Sequence, residues 1–420
     1  MHAAKWIAFV CMMLLAAGCG GQSIISDESS VESLNQEEHA EIEFWHTYSD
    51  EETRILEDQI IPAFETAYPD IRVRPIRQYN NAELKYTLIS KASSNRSPDV
   101  VRMDIAWVPE FAQSGLLLPL SDYEDFREVT ESLQSNTGSA GYFAGAHYSL
   151  PVNMNTKVMI FNRMLLTKSG LTKPPATLQE AIELARTERY RIGMSGLEAW
   201  KSLPYVYALG GRMTDEDYTK ASGYLNGDET VNAVEQLLSL YKERLIDDTL
   251  INGGADLWED IKTGNLLVTD DGPWFYSVFQ GEELERAIRS TVAVPFSPAF
   301  GPASILGGED LVVMKGSKYP RHAWEFMKWM IRKDSQIAMS QTGLIPTTLE
   351  AKDMKARDES FIPPYTEALE HTFLRPPVKE WSAMDKIYSE YMTSIFQGEL
   401  SVKEGLTRAA AEIDLLLQRD

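Results

Sequence analysis

Four short stretches of this 420-residue chain set aromatic rings and planar polar groups close together. They are Trp45, His46, Tyr48 and Ser49; Asp104 with Trp107; Asp270-Asp271-Gly272-Pro273-Trp274; and Gly307-Gly308-Glu309-Asp310. Aromatic faces stack on weakly apolar C–H surfaces, and carboxylates, carboxamides and guanidinium groups hydrogen-bond several hydroxyls at once. Side by side, they suit a polyhydroxylated ring. Arg375 offers a guanidinium for the same purpose, and Tyr79, Asn80, Asn153, Asn155, Trp200 and Trp381 form a second tier. Each group has a plainer reading. A lone aromatic usually packs in a core, Asp104 could cap the helix that follows it, and Gly307–Asp310 could be a turn with a solvated carboxylate pair. Gly272 and Pro273 are small enough to let backbone approach a ligand, which makes Trp274 the foremost stacking candidate.

Catalytic motifs are scarce. The chain has no G-x-S-x-G, no H-E-x-x-H and no P-loop. His39, His46, His147, His322 and His371 are scattered, so no metal and no cofactor is expected. Asp104, Asp271 and Glu309 could converge as a glycosidase pair, which keeps a secreted glycoside hydrolase or lyase as the enzymatic alternative. A polyamine or iron carrier is the other alternative.

The elements that must position these residues alternate in type. Glu41–His46, Ile71–Ile76 and Asp99–Met103 read as strands, and 52–68, 83–93 and 105–114 as helices, the first bent or broken at Pro62. After a boundary near 150–155, Val158–Phe161, Leu266–Thr269, Thr291–Val294 and Leu311–Met314 read as strands. Helices are expected over 178–186, 231–244, 258–263, 320–332 and 402–417. Trp324 and Trp329, on the helix from Pro320, read as packing or surface residues. Such alternation predicts an α/β fold with mostly parallel sheets.

The N-terminus has a different character. Residues 1–18 combine Lys5, an apolar run and small residues, the pattern of an export signal too short to span a bilayer. The ending Leu15-Ala16-Ala17-Gly18-Cys19 resembles the bacterial lipobox, which implies lipidation at Cys19. The two cysteines are Cys11 and Cys19, so the exported body holds no internal disulfide and its core must suffice alone. Residues 19–40 are rich in Ser, Glu, Gln and Gly and read as a flexible tether. The formal net charge of −22 argues against nucleic acid as a partner.

Several segments together resemble the lipoprotein solute-binding components of bacterial carbohydrate importers, the class that includes maltose-binding protein. They are EIEFWHTYSDEE from Glu41, SPDVVRMDIAWVPEF from Ser97, YSLPVNMNTKVMIFN from Tyr148, TDDGPWFYSVF from Thr269, GGEDLVVMKGSKYP from Gly307, GLIPTTLEA from Gly343 and RPPVKEWSAMDKIY from Arg375. The resemblance runs in one order over 41–420. It implies a two-lobe periplasmic-binding-protein-like α/β fold, with the ligand cleft between lobes and the chain crossing between them several times. It places one lobe at 41–153 and 306–355 and the other at 154–305 and 356–420. It implies a monomer held to the outer face of the cell membrane by its lipid. That monomer captures a di- or oligosaccharide and passes it to an ATP-binding-cassette permease, with no chemistry of its own. It adds weight to Asp104 as a sugar contact and to Trp274 as part of a Gly-x-Trp element.

Overall fold

In a computed structural model, the residues described are 39–79, 82–134, 141–296, 300–351 and 361–418. The signal, Cys19, almost all of the tether and Asn80 lie outside them.

Strand alternation builds two sheets. β1 (Ala40–His46) turns Ile42 and Phe44 into one apolar layer and Trp45 into the layer on the other face. β2 (Ile71–Arg77) and β3 (Val100–Asp104) flank it in parallel. β3 divides its side chains the same way, Val100 to the first layer and Val101 and Met103 to the second. A strand buried on both faces reads as a near-continuous apolar run, and VVRMD does so apart from its arginine. β4 (Tyr142–Phe143) and β5 (Ala146–His147) form a small hairpin. β6 (Leu150–Thr156) then joins the first sheet, and β7 (Val158–Asn162) belongs to the second. One residue, Lys157, separates them, so the chain changes sheets at that point.

β7 sits between β8 (Val268–Asp271) and β9 (Thr291–Val294), antiparallel to both. β10 (Ser304–Val313) runs antiparallel to β3 and β6, and β11 (Thr372–Phe373) pairs with its first residues. Ile305, near the start of β10, packs with Phe161 of β7, whereas Leu311 and Val313 pack with Phe44 of β1. β10 is thus a second crossing. The expectation of mostly parallel sheets holds for β1, β2 and β3 and for the short β10–β11 pair, while the other pairings of β3, β6, β7, β8, β9 and β10 are antiparallel. A strand returning from the other lobe enters its sheet from the far end and must run antiparallel.

Helices cover both sheets. Ser49 and Glu52 form a reciprocal capping box that starts the helix Asp50–Ile55. Pro62 does not break the run. A wider π-helical turn over Leu56–Ile60 leads into Ile61–Ala67, which leaves the proline in a first turn, where no N–H is required. Two helices without a start signal in the sequence, Ala199–Ala208 and Trp381–Phe396, complete the second lobe.

Candidate ligand-binding cleft

A cleft of about 270 Å³ is lined from both sheets. Thr47, Tyr48, Ser49 and Glu52 come from beyond β1, Arg77, Gln78 and Tyr79 from the end of β2, and Met154 and Asn155 from β6. Pro273, Trp274 and Ser277 follow β8 on the facing wall, and Thr342, Gly343 and Leu344 close one side. Residues just beyond strand ends are where α/β sheets hold ligands.

Arg102 and Glu309 form the floor. Arg102 is 3% exposed and donates to Thr47 Oγ1 at 2.6 Å, Asn153 Oδ1 at 2.9 Å and Glu309 Oε2 at 2.8 Å. Asn153 Nδ2 also donates to Glu309 Oε2, at 2.6 Å. The guanidinium lies 4.2 Å from the Tyr48 ring centroid. Burial raises the Glu309 pKa, and Arg102 and Asn153 oppose that rise. Burial, with Arg102 and Arg77 nearby, lowers the His46 pKa to about 3, so its ring is neutral and its Nδ1 accepts from the Tyr48 amide.

Asp104 performs the capping role and more. Its Oδ1 accepts from Ala106 N at 2.8 Å and from Arg375 at 2.7 Å, while Oδ2 accepts from Arg375 at 3.3 Å. Arg375 stands 5.2 Å from the Trp200 ring, and Trp200 stands 6.4 Å from Trp274 at an interplanar angle of 31°. An ion pair and two indoles therefore run in sequence beside the cleft. Gly307 permits this approach, because a Cβ there would lie 2.6 Å from the Trp200 ring.

Other candidates are placed differently. Trp45 is 5% exposed, donates to Glu43 and packs with Val101 and Met103, and Trp107 packs on that same layer. Neither lines the cleft, because strand alternation turns Trp45 away from it. Gly307–Asp310 is not a turn before a strand but the middle of β10, where all four pair with β6 and Glu309 and Asp310 pair with β3 as well. Asp310 is buried and accepts from Ser149 Oγ. Asp270 pairs with Lys157, and Asp271 accepts from Trp258 Nε1 and Gly272 N. Trp324 and Trp381 are core residues. The register does set Asp104 opposite Glu309. Each is ion-paired with its own arginine. Among the described residues no group of acids, histidines or cysteines could hold a metal, and no helix is long and apolar enough to cross a membrane.

The sequence reading missed Arg102, Arg77, Gln78, Glu52, Ser277 and Thr342–Leu344. Arg102 carried a usable signal, since a charge inside an otherwise apolar strand requires a buried partner.

Asp310 supports a pH prediction. Burial, with Glu309 and Asp104 adding to it and Ser149 opposing, raises its pKa from 3.8 to about 7. Between those values the folded protein holds a proton that the unfolded chain has lost. Its contribution to stability is therefore present at low pH and is lost as pH rises through that window. Asp310→Asn should remove this slope. Calorimetric melting temperatures at about pH 5 and pH 8 should show the variant gaining on the natural protein at the higher pH. Equal differences at both would mean that Asp310 is not the group responsible.

Two lobes joined by crossing strands around a polar, indole-walled cleft define a binding protein that holds its ligand between lobes. The chain belongs to the bacterial extracellular solute-binding protein family, whose model matches residues 59–362. A binding protein of Brucella abortus (strain 2308) is 26% identical over 350 residues, 79% of this chain and 82% of that one. The maltotriose-binding protein of Pyrococcus abyssi is 22% identical, covering 81% of this chain and 74% of its own length. The GacH receptor of Streptomyces glaucescens, solved unliganded and with acarbose, superposes with a TM-score of 0.77 at 22% identity, over 90% of this chain and 98% of that one.

Proposed function

We propose that this protein is the lipid-anchored component of an ATP-binding-cassette importer that captures a di- or oligosaccharide outside the cell. The observation that carries the reading is the pairing of a half-buried indole, Trp274, with a fixed polar floor of Arg102 and Glu309, both held by Asn153 from behind. The floor groups hold one another, so they meet hydroxyls without first being ordered. A relative named for binding maltotriose supports an oligosaccharide cargo. The lobes are 41–153 with 306–355 and 154–305 with 356–420. A monomer closes them around the sugar and presents it to the membrane permease, and ligand drives closure through its higher affinity for the closed form.

Titration of residues 41–420 with maltodextrins, cellodextrins, chitin oligomers, spermidine and ferric ion tests this, with melting temperature as readout. A ligand bound only by the native state must raise it. A rise with one glycan series and no release of reducing ends is the expected result. A rise with spermidine or iron alone overturns the sugar reading, and cleavage of a glycan replaces it with the hydrolase.

Cys19 is the proposed lipid attachment point, exposed when the signal is removed before it. In the full chain, Cys19→Ser should abolish incorporation of labelled palmitate and move the protein from the membrane fraction to the soluble one. Retention in the membrane without label would refute the anchor.

A further inference from the structure

Four cations stand where three turns meet at one end of the first sheet. Lys91 lies in the last turn of the helix Ala82–Ser93 and Arg96 just after it, while Lys315 and Lys318 follow β10. The turns touch. A Cβ on Gly316 would lie 3.2 Å from Ser97 Oγ, a Cβ on Gly115 would lie 3.9 Å from Lys315 Nζ, and Lys315 N donates to the Leu116 carbonyl at 2.8 Å. Arg96, Lys315 and Lys318 are exposed, and Lys91 is half-buried over the Trp45 ring. Among the described residues none of the four has an ion pair. The one acid in turns 91–99, 113–116 and 314–318 is Asp99, which is buried and already occupied. Its Oδ1 accepts from Ser317 Oγ at 2.6 Å and Lys318 N at 3.0 Å, and its Oδ2 accepts from Glu43 N at 2.9 Å. In a chain of formal net charge −22 this face is a local reversal of sign.

The topology fixes where the face points. Val100 pairs with Val313, so β3 begins and β10 ends beside it. β1 runs parallel to β3, so its first residue, Ala40, enters the sheet from the same end. There Glu41 pairs with Arg74, and Asp70 faces His39 at 3.7 Å. The cleft lies beyond the opposite end of β1 and β2, at Thr47–Glu52 and Arg77–Tyr79, roughly 20 Å away along a seven-residue strand. The cationic face and the point where residues 20–39 join the folded body therefore share one end of the sheet.

We propose that this face seats on the anionic phospholipid surface to which Cys19 anchors the chain, with the cleft turned outward to meet its solute. This rests on the reading of Cys19 as a lipid anchor and adds an electrostatic contact to it. Each Lys or Arg beside an anionic leaflet favours association roughly fivefold. At about 0.1 M salt, charges more than about 10 Å from the surface are screened, so the acids of the distant lobe do not cancel the four cations. Residues 20–39 would reach at most about 70 Å, enough for the body to lift and turn towards a permease while still anchored.

The test is co-sedimentation of residues 20–420, without signal or lipid, with vesicles. The whole apolar core lies within that chain. Vesicles of phosphatidylcholine alone are compared with vesicles holding an equal part of phosphatidylglycerol. The protein should bind the second kind and not the first at about 0.1 M salt, and should be released at about 1 M. The double variant Arg96→Glu, Lys318→Glu should bind at least about tenfold more weakly, with its melting temperature unchanged. A control with the same change in net charge, Lys173→Glu with Arg244→Glu, alters two exposed cations of the second lobe and should bind like the natural protein. Equal binding to both kinds of vesicle, or none to either, overturns the proposal. So does a double variant that still binds, or a control that loses binding equally. Binding to polyphosphate chains but not to vesicles would replace the membrane with an anionic polymer and overturn it too. The chain tested carries no lipid, so failure here leaves the anchor reading standing, and failure of palmitate labelling removes the anchor without altering the vesicle result.

Discussion

Lys157→Met should destabilise the protein by about 3–5 kcal/mol, more than any substitution in the cleft wall. Lys157 is 2% exposed, and its ammonium pairs with Asp270, whose side chain is fully buried. Tyr205 donates to Asp270 Oδ1 at 2.8 Å, but a hydroxyl cannot neutralise a carboxylate. Removing the ammonium leaves an uncompensated charge in the interior, and the cost follows from desolvation rather than from lost packing, since methionine nearly matches the lysine stem. The position adds to the interest. Lys157 is the single residue between β6 and β7, where the chain changes sheets, so the pair fixes the crossing. The double variant Lys157→Met with Asp270→Asn should recover much of the loss, because no charge is then stranded. Urea unfolding of the three proteins measures this. A single-variant loss below about 1 kcal/mol would mean that water reaches the pair.

The legibility of this chain divides along physical lines. Strands such as EIEFWH and VMIFN announced themselves because each alternates between two apolar layers, and that pattern is local. The helix Ala199–Ala208 did not. Its first free amide, on Ala199, is capped by Asp385 at 2.8 Å, 186 residues away, and Pro204 lies within it. Trp200, which reaches Trp274, therefore stood on an element that local signals could not start. Asp104 was readable as a cap, but its second partner, Arg375, lies 271 residues on. The four chemical clusters were visible as composition, yet their division into floor, wall and core depended on face. Trp45 and Asp310 belonged to the core for that reason. For Gly307–Gly308 the plainer alternative was a turn before the strand, and the structure places both glycines inside β10 instead. Their actual role is close approach, since a Cβ on Gly308 would lie 2.5 Å from the Asn153 carbonyl oxygen.

Trp274→Ala should weaken saccharide binding by about tenfold or more, roughly 1.4 kcal/mol, while leaving the melting temperature nearly unchanged. The two outcomes separate because adjacent residues have separate tasks. Phe275 is fully buried and Tyr276 is 2% exposed, and both pack in the second lobe's core. Trp274 is only half-buried and lines the cleft with Pro273. Its indole lies over Gly272, where a Cβ would be 2.3 Å from the ring, so the ring's seat exists only because residue 272 has no side chain. Tyr365 fixes that seat from behind by donating to the Gly272 carbonyl at 2.9 Å. An indole held this way keeps one face pre-set for a sugar ring, and truncation removes stacking area without opening the core. Trp274→Phe should lose less, because a smaller ring remains in the same seat. Isothermal titration and a thermal melt on the same preparations decide between the readings. A collapsed melting temperature would make Trp274 a packing residue, and unchanged affinity would move the stacking surface to Trp200 or Tyr48.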